Sequence, residues 1–154
     1  MAQKRSETAA MSLASEAFRL GQDALRDNQF ARAHEHLKRA HELAPEDPGY
    51  LLQLQWAALR AGLLDEEGIS KLRATLREQV SDDAHKKFAY YALGHLALVE
   101  RKDDAAERFF RRAVELDKGN KDAERHLRII ELRRKSAADG GNKIFGIEIG
   151  KKKS

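Results

Sequence analysis

The sequence contains no cysteine and only two prolines among its 154 residues. Without cysteine, the chain cannot form a disulfide framework or a thiolate metal site, and it fits a reducing compartment. Two prolines and ten glycines are also too few for the many turns of a fold built from short strands. We therefore expect an all-helical architecture.

Long apolar runs are missing as well. No stretch approaches the ~18 apolar residues of a membrane span, and no apolar run follows the basic pair Lys4-Arg5, so we expect neither a span nor a secretory signal. The sequence has no glycine-rich phosphate loop and no serine-centred elbow. Its acidic pairs lie at the predicted N-termini of helices, where the helix dipole stabilises carboxylates. These absences predict a cytoplasmic protein that is not an enzyme and needs no cofactor.

One group of side chains looks like a metal site at first sight, namely His34, Glu35, His36 and His41. No two of these histidines are four residues apart, so one helix face does not offer two imidazole ligands. We therefore predict no metal site.

The most informative feature present is an internal repeat. Gly21 and Gly94 are 73 residues apart, and each is followed at the same intervals by an alanine, a large apolar residue, a second alanine and a break. The two copies read Leu20-Gly21…Ala33…Leu37…Ala40…Pro45 and Leu93-Gly94…Ala106…Phe110…Ala113…Lys118. Paired helices that cross closely need small residues at the crossing and a large apolar side chain between them.

These residues resemble the tetratricopeptide repeat, a helix-turn-helix unit of about 34 residues. The resemblance covers about residues 14–137. It implies an all-α, right-handed helical solenoid of about seven antiparallel helices, and a non-catalytic module for protein interaction.

The repeat frame gives the domain organisation. It predicts a flexible N-terminus, repeats with paired helices, a capping helix, and a mobile basic tail. The predicted ranges are 1–10 for the N-terminus, 14–47, 48–84 and 87–120 for the repeats within 11–120, 121–137 for the cap and 138–154 for the tail. The helices are expected near 11–27, 30–44, 65–80, 82–101 and 103–117, with one more at the start of the second repeat.

The second repeat departs from the pattern. Glu67 and Lys71 occupy the positions of the first alanine and the large apolar residue. The apolar stripe is instead formed by Ile69, Leu72, Leu76 and Val80. We expect an irregular repeat whose second helix is shifted in register.

The resemblance also implies a concave groove lined by the first helix of each repeat. The groove-facing positions are Phe18, Gln22, Leu52, Trp56, Arg60, Phe88, Tyr91 and His95. Such a wall would hold an apolar or aromatic anchor of a partner peptide, as in a scaffold, an adaptor or a chaperone-like holder. The alternative is that several of these residues pack against neighbouring helices.

Positive charge is concentrated at the C-terminus. Residues 124–154 contain nine lysines and arginines against four acids, whereas residues 1–123 contain 20 against 21. The basic patch comprises Arg125, Arg128, Arg133, Arg134, Lys135, Lys151, Lys152 and Lys153. It provides an alternative function, the binding of nucleic acid or another acidic surface.

A third hypothesis is self-association. Ile129 and Leu132 form a second apolar stripe on the predicted capping helix, and no further helix follows to cover it. Such a stripe fits association with a second copy, docking of the tail, or a chain that is a fragment of a longer protein.

Overall fold

The structure is a computed structural model that describes the backbone of residues 2–153 and the side chains of residues 2–139. Over these residues the chain is all-helical, which confirms the predicted class, and it contains seven helices and no strand. The helices are α1 (Ala2–Arg26), α2 (Phe30–Leu43), α3 (Pro48–Arg60), α4 (Glu66–Gln79), α5 (Lys86–Val99), α6 (Asp103–Leu116) and α7 (Lys121–Lys153).

The largest differences from the predicted bounds lie at the ends of the chain. Helix α1 begins at Ala2, so it includes most of the segment that we predicted to be flexible. Helix α7 runs to Lys153, beyond the predicted end of the cap at residue 137. From residue 140 onward the tail side chains lie outside the described residues, so its mobility stays a prediction. Helix α5 begins four residues late, because the Asp82 side chain accepts a hydrogen bond from the Ala84 backbone in a turn (3.0 Å).

The chain divides into two compact units, Met1–Glu78 and Gln79–Ser154. In the first unit α2 packs against both α1 and α3, and in the second α6 packs against both α5 and α7. Each unit is thus centred on the second helix of a predicted repeat.

The two units have corresponding cores. The first core contains Ala24, Ala33, Leu37 and Ala57, with Phe18, Leu25 and Leu54 packed against it. Their counterparts 73 residues later are Ala97, Ala106, Phe110 and Ile130, with Tyr91, Leu98 and Leu127, and all of these belong to the second core. The repeat in the sequence is therefore a repeat of packing, position by position.

In each unit, one glycine lies directly against the large apolar residue at the centre of the core. A β-carbon added to Gly21 would lie 2.5 Å from Leu37 Cγ, and one added to Gly94 would lie 2.6 Å from Phe110 Cε1. Both distances are far below van der Waals contact, while Leu37 and Phe110 are completely buried. Only glycine allows this approach, and the repeat pattern contains both the glycine and the large apolar residue of each pair.

The first helix of each predicted repeat also ends in the same way. Asn28, Gly62 and Arg101 follow α1, α3 and α5, and all have positive φ angles of 58°, 72° and 59°. In each case the next backbone N–H donates back to the residue five positions earlier, as from Gln29 to Ala24 (2.8 Å). This is the Schellman arrangement, which satisfies the last carbonyls of a helix. The turn recurs even in the irregular repeat.

The register of α4 agrees with the predicted shift. Leu72 and Leu76 are completely buried, whereas Glu67 and Lys71 form an exposed ion pair (3.1 Å). The usual repeat positions of this helix therefore face solvent.

Replacing Gly21 with alanine tests the close contact. In an ordinary helix the change stabilises by about 1 kcal/mol, but here we expect a loss of about 1–3 kcal/mol from overpacking. In a Leu37→Ala background, itself costing about 2–5 kcal/mol, the same Gly21→Ala change should be neutral or stabilising. Urea unfolding of the wild type, the two single variants and the double variant measures whether the effect of Gly21→Ala on stability changes sign.

Gly94→Ala should likewise destabilise the wild-type protein and be neutral or stabilising in a Phe110→Ala background. Lys38→Ala, an exposed change beside Leu37, serves as the control and should alter stability by less than about 0.5 kcal/mol. A Gly21→Ala effect that is independent of residue 37 would contradict the close approach.

Candidate functional site

The predicted groove residues differ widely in accessibility. Gln22 is exposed, and Phe18, Arg60, Phe88 and Tyr91 are partly buried. Leu52, Trp56 and His95 are buried. For these last three the structure favours the alternative reading, in which groove positions pack against neighbouring parts of the protein.

Trp56 is the clearest example of a predicted groove residue that is buried. Its side chain is only 5% exposed, and the Arg60 guanidinium lies 5.2 Å from the centre of its ring and 4.4 Å from that of Phe30. Burial of so large an apolar ring stabilises the fold by roughly 1.5–3 kcal/mol. Trp56 is therefore a core residue in this structure rather than an accessible anchor.

In the first unit, α1 and α3 present an aromatic pair. Phe18 and Tyr50 lie with their ring centres 4.6 Å apart, and the Tyr50 hydroxyl lies 3.5 Å from Ser15 Oγ. Gln22, one turn further along α1, is exposed beside this pair in the helix register. This surface combines a partly buried apolar contact with accessible polar groups.

In the second unit, the equivalent contact between side chains of α5 and α7 is polar. We call it the Asp122 cluster; it consists of Tyr91, His95, Asp122 and His126. The Tyr91 hydroxyl donates to Asp122 Oδ2 at 2.5 Å, and His95 Nε2 lies 2.9 Å from the same oxygen. His126 Nε2 lies 3.6 Å from it, and Arg125 donates to the other oxygen at 2.7 Å.

Phe110 forms the apolar floor of the Asp122 cluster. The His126 ring stacks on it at 5.1 Å and the His95 ring meets it edge-on at 5.3 Å. The two imidazole rings are 4.7 Å apart and nearly perpendicular. The residue that fills the core therefore also fixes the orientation of both histidines.

The surroundings of Asp122 keep its carboxylate charged. Partial burial alone would raise its pKa, but hydrogen bonds from Tyr91, Arg125 and His95, together with the charge of His126, outweigh that effect. The net result is an Asp122 pKa far below its usual range.

The cluster distinguishes the two copies of the repeat. Tyr91 and His95 correspond to Phe18 and Gln22, and Asp122 and His126 correspond to Gly49 and Gln53. Tyr91 and His95 were among the predicted groove residues, whereas their partners on α7 were not predicted from the sequence. The available signal was the four-residue spacing of Asp122 and His126, which places both on one helix face.

The predicted basic patch is partly neutralised. Arg134 pairs with Asp104 (2.5 Å) and with Glu107, and Arg125 pairs with Asp122. Arg128, Arg133 and Lys135 are exposed. Lys151, Lys152 and Lys153 lie outside the residues with described side chains.

The two predicted self-association residues differ in exposure. Leu132 is 63% exposed, whereas Ile129 is partly buried.

Comparisons with known proteins give no family for this chain: no protein-family model matches it, and no curated protein matches it. Among the described residues, no helix combines the length and the apolar character that crossing a membrane requires.

Replacing Asp122 with asparagine tests the electrostatics of the cluster. Because the pKa of Asp122 is lowered on folding, its stabilising contribution is complete above its unfolded value of 3.8 and declines as the pH falls below that value. We expect Asp122→Asn to cost about 1–3 kcal/mol at pH 7. The difference from the wild type should narrow from pH 4 towards pH 2 in urea unfolding.

The matched control is Glu115→Gln, which removes an exposed ion pair with Arg112. Its effect should stay below about 1 kcal/mol. A cost of Asp122→Asn that is constant from pH 7 to pH 2 would contradict a charged carboxylate at the centre of the cluster.

Proposed function

We propose that this protein is a non-catalytic interaction module, a scaffold or adaptor built from tetratricopeptide-like repeats in a right-handed solenoid. The observation that carries the proposal is the repeated packing of Gly21 on Leu37 and Gly94 on Phe110. Proteins of this architecture repeat one supersecondary unit to build extended binding surfaces.

We place the partner site of the first unit on the face of α1 and α3 that carries Phe18, Gln22 and Tyr50. Phe18 and Tyr50 provide apolar contact area, and Gln22 provides an accessible amide. An extended peptide or a helix face with one or two apolar anchors matches this chemistry. Each anchor contributes about 1.5–3 kcal/mol, and ordering the peptide offsets part of this gain. We expect an affinity in the micromolar range.

The two alternatives have less support. Binding of nucleic acid through the basic C-terminus is weakened by the ion pairs of Arg125 and Arg134, which already satisfy two of the predicted cations. Self-association through α7 is supported by the exposed side chain of Leu132, but the second residue of the predicted stripe, Ile129, is partly buried.

Site-specific photo-crosslinking in cells tests the proposed surface. A photoreactive phenylalanine analogue replaces Gln22 on the proposed face or Lys38 on α2, and both positions are exposed. We expect discrete adducts with a specific protein from position 22 and none of the same identity from position 38. Mass spectrometry identifies the adducts.

A Phe18→Ala change in the same chain is the control for the anchor. It should remove the adduct at position 22, while circular dichroism shows that the helical content is kept. The same adducts from both positions, or none at position 22, would refute the proposed face.

A further inference from the structure

We propose that His95, Asp122 and His126 form a binding site for a divalent transition-metal ion, with Zn²⁺ as the best match. The site lies within the second unit, and the inference does not depend on the proposed interaction function.

The ligand atoms are close enough to share one ion. The three donor atoms, one from each residue, all lie within 4.8 Å of one another. His95 Nε2 and His126 Nε2 lie 2.9 and 3.6 Å from Asp122 Oδ2. Zinc bonds of roughly 2.0–2.2 Å place the ligands of a tetrahedral ion about 3.3 Å apart. The separations of the two histidine nitrogens from Asp122 Oδ2 lie on either side of this value, so these atoms are near the spacing that one ion requires.

The chemistry of the donors selects the ion. Two imidazole nitrogens and one carboxylate oxygen suit Zn²⁺, Co²⁺ or Ni²⁺, whereas Mg²⁺ and Ca²⁺ prefer oxygen ligands alone. The same donor set, with a fourth position left to water, is found in zinc sites of other proteins. The Asp122 carboxylate provides the oxygen donor of this set.

The surroundings hold the ligands in place. The Tyr91 hydroxyl donates to Asp122 Oδ2 and Arg125 donates to Oδ1, which are the outer contacts that orient a metal-binding carboxylate. Phe110 packs against both imidazole rings. Zn²⁺ binds the unprotonated nitrogen of an imidazole and the ionised form of a carboxylate, and these are the forms that the proposed site requires.

The first copy of the repeat shows that the fold does not need these side chains. At the equivalent positions it has Gln22, Gly49 and Gln53, while its core contains the same set of packing positions. The ligands are therefore an addition to one copy, on a scaffold that forms without them.

Calorimetric titration of the full chain with Zn²⁺, after treatment with EDTA, tests the proposal. We expect one equivalent to bind with a dissociation constant of about 10 µM or below, and to raise the melting temperature. His95→Gln and His126→Gln should each weaken binding by about tenfold or more. The control, in which His34, His36 and His41 are all replaced by glutamine, should keep the wild-type affinity.

A second measurement does not depend on the folding of variants. Addition of Zn²⁺ to the wild-type protein should shift the imidazole NMR signals of His95 and His126 and leave that of His85 unchanged. No binding at about 100 µM Zn²⁺, or equal affinity in the His126→Gln and wild-type proteins, would overturn the proposal. In that case the Asp122 cluster is a hydrogen-bonded network that only joins α5 to α7.

Discussion

The contact of a helix backbone with one large apolar side chain determines how each unit is built. Leu37 and Phe110 are completely buried because Gly21 and Gly94 let them approach the helix without a β-carbon in between. The alanines of the cores, such as Ala33 and Ala106, have the same effect on a smaller scale. Because interiors are packed to crystal-like density, one added methyl group at either glycine has no space. The remaining core positions are arranged around this contact.

The two units share the same helix packing but carry different side chains at equivalent positions. Where the first unit has an aromatic contact between Phe18 and Tyr50, the second has Tyr91 and His95 bonded to Asp122. Burying a carboxylate, even in part, is costly unless it is paired and hydrogen-bonded, and Tyr91 and Arg125 donate to the two oxygens of Asp122. The difference between the copies therefore points to a role specific to the second unit, and the proposed ion would serve it.

Several structural features could be predicted from local patterns. The spacing after each glycine indicated the helix pairs, and the displaced apolar stripe of α4 indicated that this helix is shifted in register. Both follow from helical periodicity, which is a property of neighbouring residues. The burial of Trp56 could not be predicted in this way, because the same face of a helix lines a groove or fills an interior depending on what packs against it. The extent of α1 was also missed, since residues 2–10 carry no apolar periodicity.

The sequence by itself determined the all-helical class and indicated the small and the large apolar residues that pack together in each unit. It did so because the choice of glycine, alanine or a large apolar residue limits how closely two backbones approach. Only the tertiary structure decided that Asp122 and His126 lie against Tyr91 and His95. These pairs are about 30 residues apart in the chain, and no local pattern sets their distance. It is fixed by the way α5 and α7 both pack on α6.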